Sequence, residues 1–174
     1  MTRAATVLGI QNHNIHLLNG ETPRTEIDEH CRQFEARIQA AGGIDFQILG
    51  VGINGHIAFN EPGTNRESLT RRVELSESTR QNIQSSPEGL TDTPKEALTM
   101  GISSILDAKE IAMLAIGKHK SKILQRIVES PPSIMVPASF LLSHPRTVIY
   151  TDGAAGQLLD RQRVETIWFP SPLK

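Results

Sequence analysis

One stretch constrains this chain more than any other: residues 48–64, Ile-Leu-Gly-Val-Gly-Ile-Asn-Gly-His-Ile-Ala-Phe-Asn-Glu-Pro-Gly-Thr. An apolar run (Ile44, Phe46, Ile48, Leu49) enters a turn containing Gly50, Gly52 and Gly55. It then delivers Asn54, His56, Asn60 and Glu61 before Pro62 and Gly63 break the chain again. Strand, tight glycine loop, polar cluster and turn, in that order, are how an α/β protein builds a ligand site at the carboxyl end of a strand. The run is apolar on both alternations, which predicts a central parallel strand covered on both faces.

The flanking sequence repeats the theme. Upstream, residues 14–18 (Asn-Ile-His-Leu-Leu) predict a buried extended piece closed by the turn signal Asn19-Gly20. Thr22 and Pro23 then predict an N-cap with proline in the first helical turn, followed by an apolar stripe of Ile27, Cys31, Phe34 and Ile38. Downstream, residues 71–75 alternate like an edge strand, and residues 76–93 predict a loop with at most a short helix. A brief strand over 97–101 and a short helix over 102–106 follow. The clearest strand-then-helix unit is the apolar run 111–116, a turn at Gly117 and a helix over 121–129, stopped by Pro131 and Pro132. Another short helix is predicted over 137–142, a last strand over 147–150, and a loosely docked tail from Arg161 onward. Strands alternating with helices imply one three-layer α/β domain, residues 1–174, with a parallel sheet and right-handed crossovers.

Composition narrows the partners. Eighteen Lys and Arg against 19 Asp and Glu give a net charge of −1, without the basic footprint of a nucleic-acid or anionic-membrane binder. A small-molecule partner is expected. The single cysteine, Cys31, excludes an internal disulfide framework and suits a reducing compartment, the cytoplasm. Residues 1–11 lack a signal-peptide pattern, and no apolar run reaches the ~20 residues of a membrane helix. His13, His16, His30 and His144 have no partner at metal spacing, so no metal or other cofactor is expected.

Two clusters can carry chemistry. His56 beside Glu61 can form a general acid/base pair in which the carboxylate fixes the tautomer and raises the imidazole pKa; equally, His56 can satisfy a tight turn and Glu61 cap the next element. Gly50, Gly52 and Gly55 permit close backbone approach to a ligand, although no Gly-Lys-Ser/Thr follows to make a nucleotide loop. Lys118, His119 and Lys120 fall between a strand end and a helix start, where backbone N–H groups favour a phosphate; a solvated basic turn has the same pattern.

The stretch Leu49-Gly-Val-Gly-Ile-Asn-Gly-His-Ile-Ala-Phe-Asn-Glu-Pro-Gly63 resembles the signature of glucosamine-6-phosphate deaminases, within the wider deaminase/6-phosphogluconolactonase superfamily. The lactonase branch usually continues Gly-His with Thr-Ala-Ser-Leu-Phe-Pro. Residues 14–20, 41–45, 78–80, 94–101 and 137–139 agree in order, so the resemblance covers nearly the whole chain. It implies a three-layer Rossmann-like parallel sheet and conversion of glucosamine 6-phosphate and water into fructose 6-phosphate and ammonia. By position it implies that His56 opens the sugar ring, Glu61 orients that histidine, and Asn54 stands where members carry Asp or Asn. Gly50 and Gly52 would admit the sugar, and Lys120 would bind its phosphate.

Members of the family begin with a further strand-helix segment holding a Gly-Ser/Thr-Thr-Pro phosphate loop and an Asp-Glu pair, whose Asp moves the C2 proton. Here residues 1–11 lead directly into 14–18 with neither that loop nor an Asp-Glu pair after a strand, and a second phosphate-binding arginine is replaced near Ser85. The resemblance thus implies an N-terminally truncated domain, the C-terminal two-thirds of the family's, impaired as a deaminase when alone. A missing first strand would expose an apolar face or edge, with association into a homo-oligomer as its consequence. The alternatives are a lactonase-like hydrolase, with His56 as base on water and Lys120 on the phosphate, and an inactive sugar-phosphate-binding remnant.

Overall fold

Three apolar runs pair as parallel strands in the computed structural model of the chain, which describes residues 7–85 and 93–160. In chain order the elements are α1 (Ile27–Ala40), β1 (Phe46–Gly50), β2 (Arg71–Glu74), α2 (Glu77–Gln84), β3 (Glu96–Thr99), α3 (Ile102–Leu106), β4 (Glu110–Ala115), α4 (Ser121–Glu129) and β5 (Thr147–Thr151). Short 3-10 helices lie at Asn12–Asn14, Lys118–Lys120, Pro137–Ser143 and Gly156–Leu158. The parallel sheet has the order β1-β4-β5, and β2 and β3 form a separate antiparallel ribbon.

Register and alternation divide the parallel sheet into two unlike faces. Leu49 pairs with Met113 and Met113 with Ile149, so these side chains share one face. That face is the core, where Met113 and Ala115 are fully buried. It is closed by Ile102 and Ile105 of α3, by Ile123, Leu124 and Ile127 of α4, and by Ala138, Phe140 and Leu141 of the 3-10 helix. The apolar positions of α4 recur at helical spacing, which is why this helix spans the residues its sequence predicts.

The opposite face carries Phe46 (53 % exposed), Ile48 (62 %), Leu114, Val148 and Tyr150. Its middle, at Ala112 between Ile48 and Val148, is buried (4 % exposed), while these larger side chains stand open. The apolar run of β1 predicts a central strand covered on both faces; among the described residues β1 is instead an edge strand with one open side. The run of apolar residues is real, but its outer half faces solvent among the described residues.

Two other expectations are corrected upstream. Residues 15–18 form no strand, and Leu17 is exposed, because no described strand lies beside them to take their backbone hydrogen bonds. α1 starts at Ile27 rather than Pro23: the Glu26 amide donates to the Pro23 carbonyl in a turn, and the helix follows it. Ile27 and Cys31 of its stripe are buried, while Phe34 and Ile38 are half-buried. The turn at Asn19-Gly20 does form, held by the Thr22 amide donating to the Asn19 carbonyl. The tail from Arg161 lies outside the described residues.

The unequal faces make a measurable prediction. Met113→Ala removes fully buried atoms and is expected to cost about 2–5 kcal/mol in urea denaturation. Ile48→Ala, on the open face, is expected to change the stability of the monomer at low concentration by no more than about 0.5 kcal/mol. Equal losses would show that something covers the open face in solution.

Candidate functional site

The loop after β1 folds back on itself. Val51 bridges to Ile57 and Ile57 to Asn60, the Gly52 amide donates to the His56 carbonyl (2.9 Å), and the Gly55 amide donates to the Gly52 carbonyl (3.0 Å). Ile57 is wholly buried, so the return of the loop is anchored in the core. Two glycines are required for it. A Cβ at Gly52 would fall 2.2 Å from His56 Cε1, and Gly55 has φ +90° with a would-be Cβ 2.8 Å from Val136. Ala58 takes φ +50°, a left-handed conformation rare for a residue with a Cβ.

This fold-back gathers Asn54, His56 and Glu61. Asn54 Oδ1 accepts from the His56 amide (3.1 Å), an Asx-type turn, and Asn54 Nδ2 donates to Glu61 Oε2 (2.7 Å). The same carboxylate oxygen stands 3.7 Å from His56 Nδ1, close enough for charge but too far for a hydrogen bond. His56 Nδ1 is buried without a hydrogen-bond partner. Asn60, also wholly buried, braces the loop from behind: its Nδ2 donates to the Ile57 and Met100 carbonyls and its Oδ1 accepts from Arg71. In this way β2 and the end of β3 are tied to the site.

The electrostatics of the histidine set burial against charge. Burial pushes the His56 pKa down, the Glu61 charge pushes it up, and the Lys120 charge pushes it down again, with a net fall below the ordinary imidazole value. The carboxylate acts in the direction expected, yet desolvation outweighs it. Glu61 itself is pushed up by burial, but hydrogen bonds from Thr79, Asn54 and Ser76 and the His56 charge together hold it below the usual carboxylate range. Near neutral pH the pair is thus a neutral imidazole facing an ionised carboxylate, the state from which a histidine can accept a proton.

Lys120 stands in the 3-10 turn that leads into α4, as its sequence position suggests. Its Nζ donates to the Val51 carbonyl (2.7 Å), and burial lowers its pKa. The lysine is therefore attached to the glycine loop and acts on His56 by charge. Gly50 ends β1 with open space where its Cβ would stand. Among the described residues no group of three or more His, Cys, Asp or Glu side chains could hold a metal ion. His30 and His144 have structural partners, the Asn19 amide and the Ala108 carbonyl.

The sequence reading missed Ser76 and Thr79. Both hydroxyls reach Glu61 Oε1, Ser76 at 3.0 Å and Thr79 in a shorter hydrogen bond, and Ser76 also caps α2 by accepting from the Thr79 amide. The signal available was Ser76 three residues ahead of Thr79, an N-cap spacing. Nothing in the spacing shows that the cap faces Glu61.

The family model described as glucosamine-6-phosphate isomerases/6-phosphogluconolactonase matches residues 1–150. Among curated relatives, a glucosamine-6-phosphate deaminase of Lysinibacillus sphaericus is 47% identical over 144 residues, covering 82% of this chain and 60% of that protein. One from Thermoanaerobacter pseudethanolicus is 39% identical over 163 residues, covering 92% and 64%. A solved monomeric glucosamine-6-phosphate deaminase superposes with a TM-score of 0.79 at 38% identity, covering 86% of this chain and 61% of that one. A 6-phosphogluconolactonase from Trypanosoma cruzi, 16% identical with a TM-score of 0.60, shares the fold. The chain spans about 60% of the length of its curated relatives, from 60% to 64% in the two named. By the match over residues 1–150, this chain belongs to the glucosamine-6-phosphate isomerase/6-phosphogluconolactonase family.

Proposed function

We propose that the loop 50–63 is the ring-opening half of a glucosamine-6-phosphate deaminase site, and that the whole-protein reaction is conversion of glucosamine 6-phosphate and water to fructose 6-phosphate and ammonia. The observation that carries this reading is the convergence of Asn54, His56 and Glu61 in one fold-back loop, with the imidazole neutral and the carboxylate ionised. Relatives 46–47% identical carry the name glucosamine-6-phosphate deaminase, which favours this reaction over lactone hydrolysis.

In this reading His56 handles the proton of the ring oxygen as the pyranose opens. Glu61 stabilises the imidazolium that forms and sets the ring's orientation, with Asn54 holding the carboxylate. Gly52 leaves room for the imidazole, and Gly50 leaves open space at the strand end where a sugar can approach. Lys120 exchanges its bond to the Val51 carbonyl for the sugar phosphate. A small sugar phosphate is the partner, and amino-sugar catabolism in the cytoplasm suits the single buried thiol Cys31. Self-association through the open sheet face belongs to the same proposal, as does a single domain over 1–174.

In the family the C2 base comes from an Asp-Glu pair that follows a strand, whereas Asp28-Glu29 lies in the first turn of α1, so residues 1–174 assayed by themselves are expected to open the sugar ring and to release ammonia slowly or not at all. A coupled assay for ammonia and fructose 6-phosphate on purified protein, run beside 6-phosphogluconolactone hydrolysis, tests this. Robust ammonia release would refute the division of labour; lactone hydrolysis without any action on glucosamine 6-phosphate would refute the deaminase assignment.

Ring opening can be read by itself. Magnetisation-exchange NMR of glucosamine 6-phosphate is expected to show faster interconversion of its anomers in the presence of the chain. His56→Gln is expected to reduce that acceleration by about 10²-fold or more, the usual scale of a lost acid/base group. An undiminished rate in His56→Gln would remove His56 from the chemistry.

A further inference from the structure

Glu61 distributes its two carboxylate oxygens between different parts of the fold. Oε2 belongs to the loop, taking Asn54 Nδ2 (2.7 Å) and facing His56 Nδ1 (3.7 Å). Oε1 belongs to the start of α2, taking the Ser76 hydroxyl (3.0 Å) and the Thr79 hydroxyl. The hydroxyls also contact one another, Ser76 Oγ with Thr79 Oγ1 at 3.0 Å and with Ser78 Oγ at 3.1 Å. Each hydroxyl has one proton to give. In the clamped arrangement the Ser76 and Thr79 protons both go to Oε1, while the Ser76 oxygen accepts from the Thr79 amide (3.2 Å) and lies within reach of the Ser78 hydroxyl. Thr79 is only 4 % exposed, so no water can readily substitute for it.

We propose that Thr79 is a positioning residue: with Ser76 it clamps Glu61 Oε1 from helix α2, so that Oε2 is held towards Asn54 and His56. The clamp rests on the acid/base role proposed above for Glu61, but its geometry is separate from the loop that carries His56. Without the Thr79 donor, Oε1 keeps a single hydroxyl partner and the carboxylate can turn about its last torsion. A valine at this position keeps the shape of threonine and removes the hydroxyl; a serine keeps the hydroxyl and removes the methyl.

The test is a carbon-detected NMR titration of the Glu61 carboxyl in the wild-type chain and in Thr79→Val, Thr79→Ser and Ser76→Ala. The clamp predicts an upward shift of the Glu61 midpoint in Thr79→Val, a smaller upward shift in Ser76→Ala, and a midpoint near wild type in Thr79→Ser. An unchanged midpoint in a folded Thr79→Val overturns it, as does a Thr79→Ser shift equal to that of Thr79→Val. Should Thr79→Val not fold, an unchanged midpoint in Ser76→Ala overturns it and an upward one supports it. The readout needs no turnover. If the midpoints move as expected while glucosamine 6-phosphate is neither bound nor opened, the functional reading fails and the clamp stands.

Discussion

The Glu61 carboxylate is the interaction on which the site depends. It touches both the glycine loop, through Asn54 and the nearby His56, and the first turn of α2, through Ser76 and Thr79. A half-buried carboxylate is costly unless hydrogen-bonded, and here the bonds outweigh the cost. Its negative charge in turn offsets part of the penalty for charging His56. Burial still prevails at the histidine, so one desolvated environment holds a neutral base and an ionised acid side by side.

The fold supplies the fixed points for that arrangement. The end of β1 and the buried Ile57 define where the loop leaves and re-enters the core, and buried Asn60 ties it to Met100 and to Arg71 of the ribbon. Lys120 joins from the other side, bonded to the Val51 carbonyl at the head of α4. Ala58 of this loop is the one non-glycine residue with positive φ among the described residues. Such conformations persist where the surroundings over-determine them, and they are common at functional sites.

Much of this was legible in the sequence, and the reasons for the rest are physical. The apolar spacing of α4 and the continuous apolar run of β4 depend on local pattern, and both elements form where expected. The glycine positions correctly marked a tight turn holding Asn54, His56 and Glu61 together. Residues 15–18 and the outer face of β1 failed for a shared reason: an apolar pattern states what a segment can bury, not whether a neighbour is present to bury it. Pro23 was misplaced because proline serves a turn before a helix as well as the helix's first turn. The direction of the His56 shift was unreadable because it is a difference between desolvation and charge, both set by tertiary distances. Ser76 and Thr79 showed the local spacing of a cap, while their contact with Glu61 spans up to 18 residues of chain.

Burial outweighs the neighbouring carboxylate and keeps His56 neutral near physiological pH. A nitrogen-detected NMR titration of the His56 ring measures this directly. The expected midpoint lies below the ordinary imidazole value of about 6.5 and falls further in Glu61→Gln, where the favourable charge is lost. A midpoint at or above that value, or one indifferent to Glu61→Gln, would contradict it.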